Sequence, residues 1–383
     1  MDPKMISNDD LLDLVNASPD LAVSLYLPTQ RLGRETRQNP IMLKNLRTQA
    51  REQLDALDRP AAETEALLAP LEVLIEDHDF WQNQEDGLAI FLDGDGMRIH
   101  KLPAPVAETA VAGAGFHITP LLPLMDRNAP CLVMAMTADT VQVWRATRFG
   151  IEPLEVPDLP ASVEDLDGEA DYEAPVNSHG AGRPRTGGHG MPKTQVFGDS
   201  PEEWRKGRLV EYVRRSASGL AAHVAGEPAD LVIVADAEIG GQLRNAEALA
   251  DLIAGHVETN PAALSEADLH AAARSVMEPI ELRAREDSLE RLQAHLGRGD
   301  GLACTDPAEL VAAAHAGRID QLFLADGASL HGTFDAETGL LSEGPQDLAD
   351  QAAQMTLRTG GGTWIVEPDH LPEGVGMAAI LRY

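Results

Sequence analysis

The 383-residue chain carries 62 acidic against 30 basic side chains, a formal net charge of −32, and is 44% hydrophobic. That composition fits a soluble globular protein of two or three domains, and it opposes non-specific nucleic-acid binding, because phosphate attraction needs a basic surface. No apolar run reaches the roughly 18 residues of a membrane span, and Cys131 and Cys304, far apart among apolar neighbours, read as buried free thiols rather than a zinc site or a disulfide framework.

The opening stretch MDPKMISNDDLLDL is acidic and amphipathic, unlike a signal peptide, so the expected location is cytoplasmic. Asp9–Asn16 reads as a first helix, with Leu11, Leu12 and Val15 on one side. Leu21–Leu27 reads as a buried strand closed by Pro28. Pro40 opens a helix whose Leu43, Leu46, Ala50, Leu54 and Leu57 fall at core spacing. Lys44, Arg47 and Arg51 lie beside that stripe and, with Arg31, Arg34 and Arg37, form a candidate basic patch or an ordinary solvated face. A helix over 61–76 follows, then a hairpin of 87–92 and 97–102 around Asp93-Gly94-Asp95-Gly96, then a second hairpin of 131–136 and 141–146. These elements make an N-terminal α/β domain over 1–157.

Residues 158–176 are acidic and Pro-containing, as suits a connection into a middle domain over 158–262. Residues 177–198, NSHGAGRPRTGGHGMPKTQVFG, contain six glycines, Arg183, Arg185 and Lys193, two histidines and no acid. Without hydrophobic periodicity they are neither helix nor strand, and the glycines open backbone conformations that a side chain would forbid. A helix starting at Pro201 carries Leu209, Val213, Ala217 and Leu220 on its core side and Arg205, Arg208, Tyr212 and Arg215 at spacings of 3, 4 and 3. Arg and Tyr on one face suit RNA contact. Leu231–Ala235 reads as a buried strand and 243–254 as a helix. Ser265, with Asp268 at the capping-box position, starts a long helix to about Leu296. The third domain, 263–383, then reads helix 307–315, strands 321–325 and 329–334, helix 346–357, and strands 363–366 and 378–383, a compact α/β sandwich. Gly360-Gly361-Gly362 reads as a helix-ending turn, lacking the Lys-Ser/Thr of a phosphate-binding loop.

The segments AVSLYLPT (22–29), NPI (39–41), LKNL (43–46), Phe80-Trp81, DGLA (86–89), Phe116-His117 and PLLPL (120–124) resemble the first domain of the bacterial branch of the archaeo-eukaryotic class I release factor and Pelota superfamily. The Gly/His loop leading into a basic helix and then an apolar strand resembles its middle domain, and Asp320–Phe323, Gly360–Gly362 and AILRY (379–383) resemble its end. The resemblance covers almost the whole chain and implies three consecutive α/β domains of release-factor type. It also implies that 177–198 is the loop that in release factors carries Gly-Gly-Gln, whose Gln helps water attack the peptidyl-tRNA ester. Here that loop reads Gly187-Gly188-His189-Gly190. The expectation is therefore of Pelota-like occupation of the ribosomal A site, in rescue, stress or hibernation, with Arg183, Arg185, Gly187, Gly188, His189, Lys193, Arg205, Arg208, Tyr212 and Arg215 against RNA. Peptidyl-tRNA hydrolysis by the same loop is the alternative, with His189 or Gln195 as catalytic candidates; neither has a sequence partner that activates it. The literal Gly240-Gly241-Gln242 reads instead as a strand-to-helix turn at the wrong end of the domain.

The resemblance implies the ribosome as partner, through rRNA and peptidyl-tRNA, and a translational GTPase as a further one; no membrane and no cofactor is expected. His179 and His189, ten residues apart in a glycine-rich loop, do not make a metal site. From other function classes stand a protein–protein adaptor whose acidic surface meets a basic partner, and a small-molecule hydrolase with the Gly/His loop as a lid. No paired-carboxylate, Ser-His-Asp or metal-spaced cluster supports the hydrolase.

Overall fold

The computed structural model of the chain describes residues 4–30, 34–125, 131–157, 159–164, 166, 201–226, 229–335 and 338–383. The fold is multi-domain α/β, in two compact units: Met1–Asn128 together with Glu281–Tyr383, and Ala129–Ile280.

In the first unit the chain runs β1 (Lys4–Met5), α1 (Asn8–Asn16), β2 (Ala22–Pro28), α2 (Asn39–Ala56), α3 (Ala61–Glu76), β3 (Gly87–Asp93), β4 (Gly96–Leu102), β5 (Thr109–Gly113) and the short α4 (Leu122–Met125). Ser7 and Asp10 close a reciprocal cap on α1, each side chain accepting from the other's backbone N–H. The sheet order is β1-β4-β3-β2-β5. Strand alternation puts Val23, Leu25 and Leu27 with Leu88, Ile90 and Leu92 on one face, where Leu43, Leu46, Ala50 and Leu54 of α2 bury against them. The candidate basic patch on α2 is met by acids of α3: Arg47 pairs with Glu65 at 3.3 Å and Glu72 at 2.6 Å, and Arg51 with Glu65 at 2.8 Å. The Arg31 and Arg34 side chains lie outside the described residues.

The second unit holds β6 (Cys131–Met136), β7 (Val141–Ala146), β8 (Ile151–Leu154), α5 (Pro201–His223), β9 (Leu231–Ala235), α6 (Ala237–Arg244), β10 (Ile253–Glu258) and the first half of α7 (Glu266–Arg298). Its sheet order is β10-β9-β6-β7-β8, with β9 parallel to both neighbours. Leu132, Met134, Leu231 and Ile233 face α5 and α6. Val133, Val232 and Val234 face Leu269, Ala273 and Met277 of α7.

Two expectations are corrected here. The hairpin of β6 and β7 belongs with β9, not with the N-terminal domain, so the boundary at 157 moves back to about Asn128. A hairpin leaves one edge of β6 unpaired, and nothing local in the sequence says which distant strand fills it. The helix expected over 243–254 is instead the end of α6, a 3₁₀ turn at Glu247–Leu249 and β10. There parallel pairing on β9 overrides an Ala/Leu-rich composition.

The rest of the first unit is the second half of α7, β11 (Ala303–Cys304), α8 (Pro307–His315), β12 (Ile319–Ala325), β13 (His331–Asp335), β14 (Leu340–Asp347), α9 (Leu348–Arg358), β15 (Gly362–Val366) and β16 (Met377–Leu381). The sheet β11-β16-β12-β15 buries Phe323, Trp364 and Ile380 against Leu289 and Leu292 of α7. Ser265 and Asp268 cap α7 as their spacing predicts. Gly360 ends α9 in the left-handed conformation (φ +73°), with the Gly361 N–H donating to the Thr356 carbonyl at 2.8 Å. A separate third domain over 263–383 is corrected too, because α7 feeds both cores and α9 packs on N-terminal backbone. Arg358 Nε donates to the Val15 carbonyl at 2.6 Å, and Gln354 Nε2 to the Phe116 carbonyl at 2.8 Å.

Candidate nucleic-acid interface

The segment 177–198 lies outside the described residues, and with it Arg183, Arg185, Gly187, Gly188, His189, Lys193 and Gln195. The described part of the candidate interface is α5. Its backbone carries Arg205, whose side chain is likewise outside the description, then Arg208, Tyr212 and Arg215. The helical spacing of 3, 4 and 3 does align them along one face, yet that face is not uniformly open. Leu159, Val163 and Leu166 pack onto the same core that α5 covers. Arg208 Nη2 donates to the Val163 carbonyl, and the Tyr212 hydroxyl donates to the Ala161 carbonyl at 3.2 Å.

Tyr212 is fully buried, so its ring is a core element and not a stacking surface for a base. The reading of Tyr212 as an RNA contact is corrected accordingly. Periodicity reports which residues share a stripe; it does not report whether solvent or another segment faces that stripe. Leu159, Ala161, Val163 and Leu166, within the stretch 158–176 read as an acidic connection, supply that cover.

The exposed cations of α5 lie a little further round. Arg214 Nε and Nη2 meet the two Glu211 carboxylate oxygens at 2.8 and 2.7 Å, a forked pair, and Arg215 Nε reaches Glu211 at 2.8 Å. The hydrogen bonds from Arg214 and then Arg215 hold the Glu211 carboxyl down to about 2. The cluster thus carries two guanidinium charges against one carboxylate. Arg214 was missed in the sequence, although Glu211 stands three and four residues before Arg214 and Arg215, the helical spacing at which such pairs form.

Gly240-Gly241-Gln242 sits inside α6, which starts at Ala237 and is capped by Asp236 accepting from the Ile239 N–H at 2.9 Å. The expected turn is therefore helix. Gly240 has a packing reason: a Cβ there would lie 2.1 Å from His256 Nε2. That imidazole nitrogen is 3.0 Å from the Ala235 carbonyl.

The first unit holds a buried charged pair. Asp350 Oδ1 accepts from the Ile118 N–H at 2.8 Å, the Thr119 N–H at 2.7 Å and the Thr119 hydroxyl at 2.7 Å, and lies 3.2 Å from His117 Nδ1. Its other oxygen accepts from Gln354 Nε2 at 2.7 Å. Burial pulls the His117 pKa down, but the hydrogen bond and charge of Asp350 outweigh it and leave it raised. Burial pushes Asp350 up; His117, Thr119 and Gln354 outweigh that and leave it lowered. The Tyr26 hydroxyl donates to the His117 carbonyl at 2.5 Å and the His117 N–H to Ser24 Oγ at 2.9 Å. Every partner is internal, which makes this a structural clasp between α9 and the stretch 116–119.

Both cysteines are buried and not disulfide-bonded, and burial pushes the Cys304 thiol up to about 12. Among the described residues no three His, Cys, Asp or Glu side chains are grouped to hold a metal ion, and no helix is long and apolar enough to cross a membrane.

No curated protein matches the chain. Among solved structures it is similar to the archaeal translation termination factor aRF1, at 13% identity over 99% of each chain with a TM-score of 0.24. It is also similar to Pelota of Archaeoglobus fulgidus, at 10% identity over 100% of this chain and 94% of that one with a TM-score of 0.30. Dom34 of S. cerevisiae, a translation termination-like factor that interacts with Hbs1, is 12% identical over 75% of this chain and 73% of that one, with a TM-score of 0.36. The match that carries weight is to bacterial archaeo-eukaryotic release factor family 3, over residues 130–318, just under half of the chain. That span takes in segment 177–198 and all of α5. Over that span the chain is similar to the bacterial archaeo-eukaryotic release factors.

Proposed function

We propose that this chain is a ribosome-associated translation factor of release-factor and Pelota type, acting in rescue, stress or hibernation. Segment 177–198 meets rRNA near the A site with Arg183, Arg185 and Lys193, and the exposed cations of α5 extend that contact. The observation that carries the reading is the family match over 130–318, which spans both the segment and the helix. Local charge supports it: the segment is free of acids in a chain of net charge −32, so phosphate attraction is concentrated there. Peptidyl-tRNA hydrolysis is not part of the proposal, since the segment that the resemblance equates with the Gly-Gly-Gln loop reads Gly187-Gly188-His189. Delivery by a translational GTPase is a further element of it.

The test is sucrose-gradient sedimentation of the purified chain with bacterial ribosomes at moderate salt. Wild type is expected to travel with ribosomes, and the Arg183→Ala, Arg185→Ala, Lys193→Ala triple variant to stay at the top. Wild type remaining at the top even at low salt, where phosphate contacts are strongest, overturns the proposal. A peptidyl-tRNA release assay run beside it expects no product; release that His189→Ala abolishes would establish the hydrolytic alternative.

A further inference from the structure

The helices of the first unit leave apolar side chains that their own sheet does not cover. Val73 on α3 is 74% exposed. It stands on the lip of an open groove of about 950 Å³ formed by α1, α3 and β4, whose apolar lining includes Leu14, Leu74, Phe80, Met97 and Ile99. Around this lining stand the carboxylates of Asp10, Asp13 and Asp77. Of the two cations in the lining, Arg98 is paired with Asp93 at 3.0 Å and lies over the Phe116 ring, leaving Lys4 to face three acids. His100 lines the same groove; its Nδ1 is buried without a hydrogen bond, and burial lowers its pKa.

We infer that this groove docks a basic amphipathic helix of a partner protein. The apolar lining takes hydrophobic anchors at the i, i+3, i+4 and i+7 positions, and the acids take the flanking Lys or Arg. α3 contributes Pro70, Val73 and Leu74 to the lining and α1 contributes Asp10, Asp13 and Leu14, each about one turn of helical wall. Charge selects among occupants. Three carboxylates repel a nucleic-acid backbone or an anionic lipid surface, and a second copy of a chain of net charge −32 would bring acids to acids. The inference is independent of the ribosome reading, because the lining residues it rests on lie between Lys4 and His100.

The probe is a fluorescein-labelled amphipathic peptide with Leu at helical spacing and Lys on its other face, titrated with the full chain by fluorescence anisotropy. A twin with Glu in place of Lys is the control. Wild type is expected to bind the Lys probe saturably and the Glu twin at least tenfold more weakly. Val73→Asp should weaken the Lys probe at least tenfold, although it makes the chain more acidic, and Asp13→Asn about threefold. Leu340→Asp adds the same charge at another exposed position, 67% accessible, and should leave binding unchanged. Binding by Val73→Asp as tight as wild type would mean attraction by the overall field alone and overturns the inference. Equal binding of the two peptides, or no saturable binding by wild type, overturns it as well.

Discussion

Replacing Asp350 with Ala removes one carboxylate and strands several partners at once. The Ile118 and Thr119 N–H groups, the Thr119 hydroxyl and the Gln354 amide lose their acceptor, and His117 loses its counter-charge. Asp350 is 4% exposed, so water does not readily replace these bonds. Breaking a buried pair from one side costs about 3–5 kcal/mol, a large share of the 5–15 kcal/mol by which a domain is stable. Asp350→Asn keeps an oxygen for Ile118 and Thr119 but turns an amide N–H₂ toward Gln354, for an expected loss of about 1–3 kcal/mol. Because the chain has two units, one unfolding curve is not a two-state measurement. The assay is therefore urea-dependent amide exchange, reading 116–119 and 348–358 in the first unit and β9 in the second. The first set should lose protection at lower urea and β9 should not. The pH dependence has a defined sign. The raised His117 contributes fully below its unfolded value of about 6.5 and is lost as pH rises through its folded value. The lowered Asp350 contributes above about 3.9 and is lost as pH falls below it. The clasp is thus strongest between about pH 4 and 6.5, and His117→Gln should flatten the alkaline limb. An Asp350→Ala loss below about 1 kcal/mol would refute the account of the clasp.

Three further perturbations bear on the second unit. Gly240→Ala should raise helix propensity by up to about 1 kcal/mol, yet destabilise by about 1–3 kcal/mol because its Cβ meets the His256 ring; adding His256→Ala should restore thermal stability. Tyr212→Phe should cost about 1 kcal/mol for its bond to Ala161 and leave ribosome sedimentation unchanged, whereas loss of sedimentation in a folded Tyr212→Phe would return this hydroxyl to the RNA interface. Glu211→Gln should change stability by less than about 0.5 kcal/mol, as for exposed pairs, while freeing Arg214 and Arg215. A steeper salt dependence of ribosome binding is the expected signature, and an unchanged one would remove these two cations from the interface.

Local sequence determined most of the elements. Leu43, Leu46, Ala50 and Leu54 predict the α2 stripe, and all four are fully buried. Ser265 and Asp268 mark the start of α7, and Gly360 marks the end of α9, because caps and left-handed turns are made by neighbours in the chain. Segment 177–198 lies outside the described residues, and the family match spans its position. What the tertiary structure alone decided is partnership. The hairpin at 131–146 could pair with any free edge; it takes β9, almost a hundred residues on. Residues 281–383 join residues 1–128 through contacts such as Asp350 with Ile118. Tyr212 and Arg208 share the stripe that predicts RNA contact, and residues 161 and 163 cover it. Periodicity sets which side of a helix or strand is apolar or charged. What comes to lie against that side is settled by contacts between residues distant in sequence, whose closure entropy only the assembled core repays.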